Sequence, residues 1–111
     1  MQNRDRECLL RIVEHCQRIL DAQKRFGDSF EKFCSDADYR DVINMNIFQI
    51  GELSNQLSDS IKDKTKDIPW HEIYGIRNVM AHAYIIVDNF TIWSTVKNDI
   101  PKLMGRLSKE V

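Results

Sequence analysis

Leu9, Ile12, Val13, Cys16, Ile19 and Leu20 recur at spacings of three and four, which puts them on one face of a helix of about 20 residues. That helix should fade at Phe26-Gly27, where glycine supplies a C-terminal stop, and a short ordered piece around Ser29 to Cys34 bridges to the next element. Asp36 or Asp38 is placed to cap a second long helix, whose stripe is Ile43, Ile47, Ile50, Leu53 or Leu57, and Ile61. Val42, Met45 and Phe48 widen that stripe. Such breadth fits a central bundle helix or a helix that also meets a second protomer.

After the polar run Lys62 to Asp67, Pro69 is suited to the first turn of a third helix, with Trp70, Ile73 and Ile76 or Arg77 following at helical spacing. Residues 83–87 are poor in helix signals and rich in β-branched side chains. Asp88 then offers an N-cap for a last helix carrying Phe90, Trp93, Val96, Ile100, Leu103 and Leu107, which Pro101 should kink. No internal repeat, low-complexity tract or sustained heptad occurs, so solenoid and coiled-coil architectures fall away. The expectation is a single all-α domain over residues 1–111, built as a bundle of four to five helices.

Composition agrees with this reading. Only four glycines and two prolines interrupt 111 residues that are 42% hydrophobic and 30% charged, enough chain to bury a core without staples. The N-terminal decapeptide lacks the apolar stretch of a signal peptide and no segment approaches a membrane span, so a cytoplasmic protein is expected. Cys8, Cys16 and Cys34 are odd in number, show no Cys-x-x-Cys spacing and lie on or beside apolar positions, the pattern of reduced, partly buried thiols. A net charge of −1 argues against an obligate nucleic-acid binder, because phosphate binding needs a basic excess. Any RNA contact must be local. Lys62, Lys64 and Lys66 with Arg77 could supply it, although Asp63 and Asp67 dilute the run and a solvated linker is the plainer reading.

The chemistry concentrates in residues 77–84, Arg-Asn-Val-Met-Ala-His-Ala-Tyr. A guanidinium stays protonated and offers donors in a fork that matches two phosphate oxygens, which suits Arg77 to a phosphate. Imidazole, with a pKa of about 6.5, populates both protonation states near neutrality, which suits His82 to moving a proton at a ribose 2′-OH. On an ideal helix Arg77 and His82 project about 140° apart, whereas Asn78 and His82 share a face; a helix ending near His82 would still let both line one cleft. Taken alone, an Arg-x4-His pair is weak. On spacing alone the plainer reading is His82 as a helix-end histidine over exposed carbonyls, Arg77 as a surface cation and Tyr84 as a packed aromatic. Glu52, beside Gly51, reads either as a carboxylate that orients Arg77 or as an ordinary helix-surface residue. His15, His71 and His82 have no Cys or carboxylate partners at metal-site spacing, and no Gly-rich phosphate loop occurs, so neither metal nor cofactor is expected.

A wider set of residues resembles the HEPN-domain toxins of the HepT type, which pair with a minimal nucleotidyltransferase antitoxin, MntA. The likeness runs through Ile50-Gly51-Glu52, Ile68-Pro69-Trp70, Gly75-Ile76-Arg77-Asn78, His82-Ala83-Tyr84, Val87-Asp88, Trp93 and Ile100-Pro101-Lys102-Leu103. It departs at Ala83, where the family commonly has Gly. The resemblance implies an up-down helical bundle that forms a homodimer with Arg-x4-His pairs facing an interface cleft. It implies the toxin of a type VII-like toxin–antitoxin system, a metal-independent endoribonuclease. Arg77 and His82 match the catalytic pair, Asn78 the supporting polar residue, and Tyr84 the tyrosine to which the antitoxin adds AMP. AMP there would set bulk and negative charge against Arg77 and switch cleavage off. The implied partners are RNA, the cognate nucleotidyltransferase and a second copy of the chain, with no membrane. Two other readings stand beside it: a non-catalytic HEPN module that binds a nucleotidyltransferase or nucleotide, and a helical interaction protein with a fortuitous motif.

Overall fold

Where apolar residues recur at three and four, the chain is helical. The computed structural model describes residues 1–81 and 88–111, the side chains of 79–81 excepted. Helix α1 spans Asn3–Phe26 and stops at Gly27, whose φ of 115° admits glycine readily and whose N–H donates to the Gln23 carbonyl at 2.9 Å. Helix α2 (Phe30–Ser35) is capped by Ser29, and α3 (Ala37–Asn55) by Asp36, whose carboxylate accepts from the Asp38 and Tyr39 amides. A short α4 (Asp59–Lys64) precedes α5 (Trp70–Ala81). The chain ends in a continuous helical rod made of α6 (Asn89–Ser94), a π-helical segment (Thr95–Asp99) and α7 (Ile100–Leu107). All regular structure among the described residues is helical.

Paired contacts fix the direction of each long helix. Phe26 stacks on Tyr39 at 4.9 Å, His15 Nδ1 donates to Asn46 Oδ1 at 2.8 Å, and Asp5 bonds Ser58, so α3 runs antiparallel to α1. Helix α5 starts at that lower end, where Arg106 of α7 grips Asp67 at 2.6 Å, and runs back up α3. The last rod starts beside α2, with Phe30 against Phe90 and Phe33 against Trp93, and descends along α1. The result is an up-down bundle of four long helical elements and two short ones. Its core is a continuous set of side chains from Leu9, Ile12, Cys16 and Ile19 through Ile43, Ile47 and Ile50 to Ile92, Val96 and Leu107.

Three sequence expectations shift. The second long helix ends at Asn55 rather than reaching Ile61. The buried Asp5 carboxylate accepts from Ser58 N–H at 2.9 Å and from its hydroxyl at 2.6 Å, and Ser58 in turn caps α4 through the Ile61 amide. The chain therefore turns there while Leu57 and Ile61 stay buried. Phe90, expected in the last core stripe, is 69% exposed, and Ile92 takes its place inside. The distortion expected from Pro101 is the wide π turn just before it. Proline lacks an N–H and crowds the carbonyl four residues back, that of Lys97, which the π turn moves away.

The thiols of Cys8 and Cys16 are buried and free, and burial pushes Cys16 up to about 12. The polar run after Ser58 is not a plain linker: it forms α4, then a turn held by buried Thr65, which donates to the Ile61 carbonyl and accepts from the Trp70 indole at 2.9 Å. Within the widened face of α3, Val42 and Met45 remain exposed. No described helix is long and apolar enough to cross a membrane.

The Ser58 hydroxyl, then the Ser58 amide, hold the Asp5 carboxyl below its ordinary value of 3.8. A lowered carboxylate stabilises the fold above its unfolded pKa and loses that contribution as pH falls through the folded pKa. Asp5→Asn should therefore cost about 1–3 kcal/mol at neutral pH, and the difference from wild type should shrink as denaturation is repeated below about pH 4.

Candidate functional site

Arg77 lies two turns into α5, at the helix's closest approach to α3. A Cβ built on Gly51 would overlap Arg77 Cβ and sit 2.9 Å from its Cγ and 3.4 Å from its Cα. Only a residue without a side chain fits under Arg77, which is the physical content of the Gly51-Glu52 pair in α3. The next residue, Glu52, then meets the arginine: Arg77 Nε donates to Glu52 Oε1. The guanidinium carbon is 5.3 Å from the Phe48 ring centroid and 5.6 Å from that of Tyr74, so aromatic rings flank the cation.

This arginine is accessible without being loose. Its side chain is 23% exposed and that of Glu52 is 35% exposed. Among the described residues nothing bonds Nη1 or Nη2, the two nitrogens that form the fork an anion would take. Asn78, the next residue, is exposed on α5. His82 follows the last residue of α5 in the chain, and both His82 and Tyr84 lie outside the described residues. The separation of Arg77 from His82 lies outside them too.

The candidate basic run does not join this site. Lys62, Lys64 and Lys66 belong to α4 and the turn after it, at the end of the bundle where α5 begins, whereas Arg77 is two turns further along. Of the two readings of Glu52, the one that couples it to Arg77 matches the geometry. Phe48 and Tyr74 went unmarked as site residues. Tyr74 precedes Arg77 by three residues on one helix, a spacing that could have flagged it. Phe48 reads from sequence only as added apolar width. On its other side α5 faces a groove of about 480 Å³ in which Ile47, Ile50, Ile73 and Ile76 are joined by Asp67, Glu72, Asp99, Lys102 and Arg106, and Arg77 is not part of its lining.

Comparison with known proteins is consistent across most of the chain. The family described as "Ribonuclease HepT-like" matches residues 8–109. A Thermococcus cleftensis protein named "Probable ribonuclease HepT" is 36% identical over 80 residues, covering 72% of this chain and 73% of its own length. A protein of Caldanaerobacter subterraneus subsp. tengcongensis, provisionally named an RNase, is 32% identical over 98 residues, or 88% of this chain and 86% of the relative. Another with a provisional RNase name, from Methanocaldococcus jannaschii, is 32% identical over 81 residues, covering 65% of this chain and 74% of its own. No solved structure matches significantly.

Gly51→Ala should force α5 away from α3 and cost about 1–3 kcal/mol in chemical denaturation. Gly75→Ala, where an added Cβ meets nothing within 4 Å, should leave stability unchanged or raise it by up to about 1 kcal/mol.

Proposed function

Because this chain belongs to the HepT-like ribonuclease family, we propose that it is the toxin of a toxin–antitoxin pair, a metal-independent endoribonuclease acting through Arg77 and His82. The observation that carries the reading is an arginine seated over Gly51 and held at Nε, with no described residue on its two terminal nitrogens, five residues before a histidine in a chain of this family. Neutral His82 takes the proton of a ribose 2′-OH. The freed oxygen bonds to the adjacent phosphorus, the bond from phosphorus to the 5′ oxygen breaks, and that oxygen takes a proton from solvent as it leaves, giving a 2′,3′-cyclic phosphate end. Arg77 stabilises the charge gathered on the phosphoryl oxygens in the transition state. Asn78, exposed beside Arg77, supplies a further polar contact to the substrate.

The active form in this reading is a homodimer. Exposed Val42 and Met45 continue along α3 toward Phe48 and Glu52, an apolar strip that ends at Arg77 and favours a second copy closing the cleft. Control comes from a nucleotidyltransferase partner. The Tyr84 phenol gives up its proton to solvent as its oxygen bonds to the α-phosphorus of ATP and pyrophosphate leaves; the attached AMP places an anion two residues from His82, in competition with RNA for Arg77.

RNA incubated with unmodified protein in excess EDTA should be cleaved to cyclic-phosphate ends detectable by mass spectrometry. Arg77→Ala and His82→Ala should each lower the rate by at least about 100-fold. No cleavage of total cellular RNA by folded, adduct-free protein would instead support the non-catalytic binding module. Adding AMP to Tyr84 should abolish cleavage, while Tyr84→Phe should stay active in the presence of partner and ATP; full activity of the AMP-modified protein would remove the proposed switch.

A further inference from the structure

We infer that Glu52 is a positioning residue that sets which edge of the Arg77 guanidinium receives the scissile phosphate, an inference that rests on the ribonuclease reading. A guanidinium offers a carboxylate or phosphate two forks, one from Nε with a terminal nitrogen and one from the two terminal nitrogens. Glu52 Oε1 occupies Nε. Phe48 and Tyr74 lie within 5.3 and 5.6 Å of the guanidinium carbon and crowd its surroundings. Among the described residues, the approach left is in plane and end-on, through Nη1 and Nη2, which bond two non-bridging phosphate oxygens at once.

The carboxylate is well suited to orienting and poorly suited to stabilising. The pair is one-quarter to one-third exposed, a setting in which an ion pair contributes little to folding. Glu52 also sits next to Gly51, the one residue under Arg77, so the backbone contact fixes where the arginine stem lies and the carboxylate fixes how its head is rotated. Without Glu52 the side-on fork becomes available, and a phosphate held there is displaced from the line of attack by the 2′ oxygen. Displacement of reacting groups by about an ångström is worth on the order of 100-fold in rate. Removing a negative charge beside the substrate's phosphate does not weaken ground-state binding. The signature is thus a fall in kcat with KM unchanged or lower, which general damage to the fold does not produce.

The test compares wild type, Glu52→Ala, Glu52→Gln and Arg77→Ala in single-site RNA cleavage, with melting temperatures to confirm folding. Glu52→Ala should lower kcat by about 10- to 100-fold with KM no higher than wild type. Glu52→Gln, which keeps an acceptor for Nε, should recover to within about threefold of wild type. A second readout does not depend on turnover. The Arg77 Nε–H resonance, assigned by its loss in Arg77→Lys, should exchange slowly with water in wild type and Glu52→Gln and rapidly in Glu52→Ala. It should stay protected when an uncleavable 2′-O-methyl oligoribonucleotide is bound. Glu52→Ala at wild-type kcat while Arg77→Ala is inactive would overturn the positioning role alone. Equal Nε–H exchange in wild type and Glu52→Ala would do the same. A wild type that cleaves no RNA overturns the ribonuclease reading itself, and with it the catalytic consequence drawn for Glu52.

Discussion

A single missing side chain lets the bundle form its site. Because Gly51 presents only hydrogen to α5, the two helices meet closely enough for the Arg77 stem to lie against the α3 backbone. The candidate site inherits that approach: the meeting of Arg77 with Glu52 and the aromatic rings of Phe48 and Tyr74 near the cation. Helix–helix distance is usually set by the bulk of facing side chains, and here the smallest residue stands where the stem of a long arginine must fit.

Two kinds of interaction divide the labour. Stability comes from the apolar interior, where side chains such as Leu9, Ile12, Tyr39 and Ile43 are wholly removed from water. Orientation comes from polar contacts placed at the turns and on the site. Asp5 fastens the break between α3 and α4, Thr65 joins α4 to Trp70, and the Asp67–Arg106–Glu110 chain ties α7 to the start of α5. These last groups are partly exposed and contribute modestly to folding. What they determine is where α5 begins, and therefore where along α3 its residues fall.

Local signals were legible in the sequence and distant ones were not. The α1 stripe, the stop at Gly27 and the caps at Asp36 and Asp88 depend on neighbours a few residues away, and each appears in the structure as the pattern suggests. The end of α3 depends on Asp5, 53 residues earlier, so no window around Ser58 could reveal it. Arg77 and Asn78 could be singled out from their motif, but the ion pair made by Arg77 Nε reaches to Glu52, 25 residues away. Phe90 was misplaced for a related reason. Periodicity alone does not say which of two apolar positions two residues apart, Phe90 or Ile92, centres the buried arc.

The π-helical segment gives the last rod a property the other helices lack. In a regular helix, adding or removing one residue rotates all that follows by about 100°, which would swing the buried residues of α1 or α3 into solvent. A π turn is an α turn holding one residue more. Loss of one position within Thr95–Asp99 returns the turn to α geometry and leaves Ile92 above and Leu103 below on the same side of the rod. The rod therefore carries its own length tolerance, placed between the half that meets α2 and the half that closes the bundle's lower end. That tolerance is realised only when Pro101 is replaced as well, because its ring needs the wider turn.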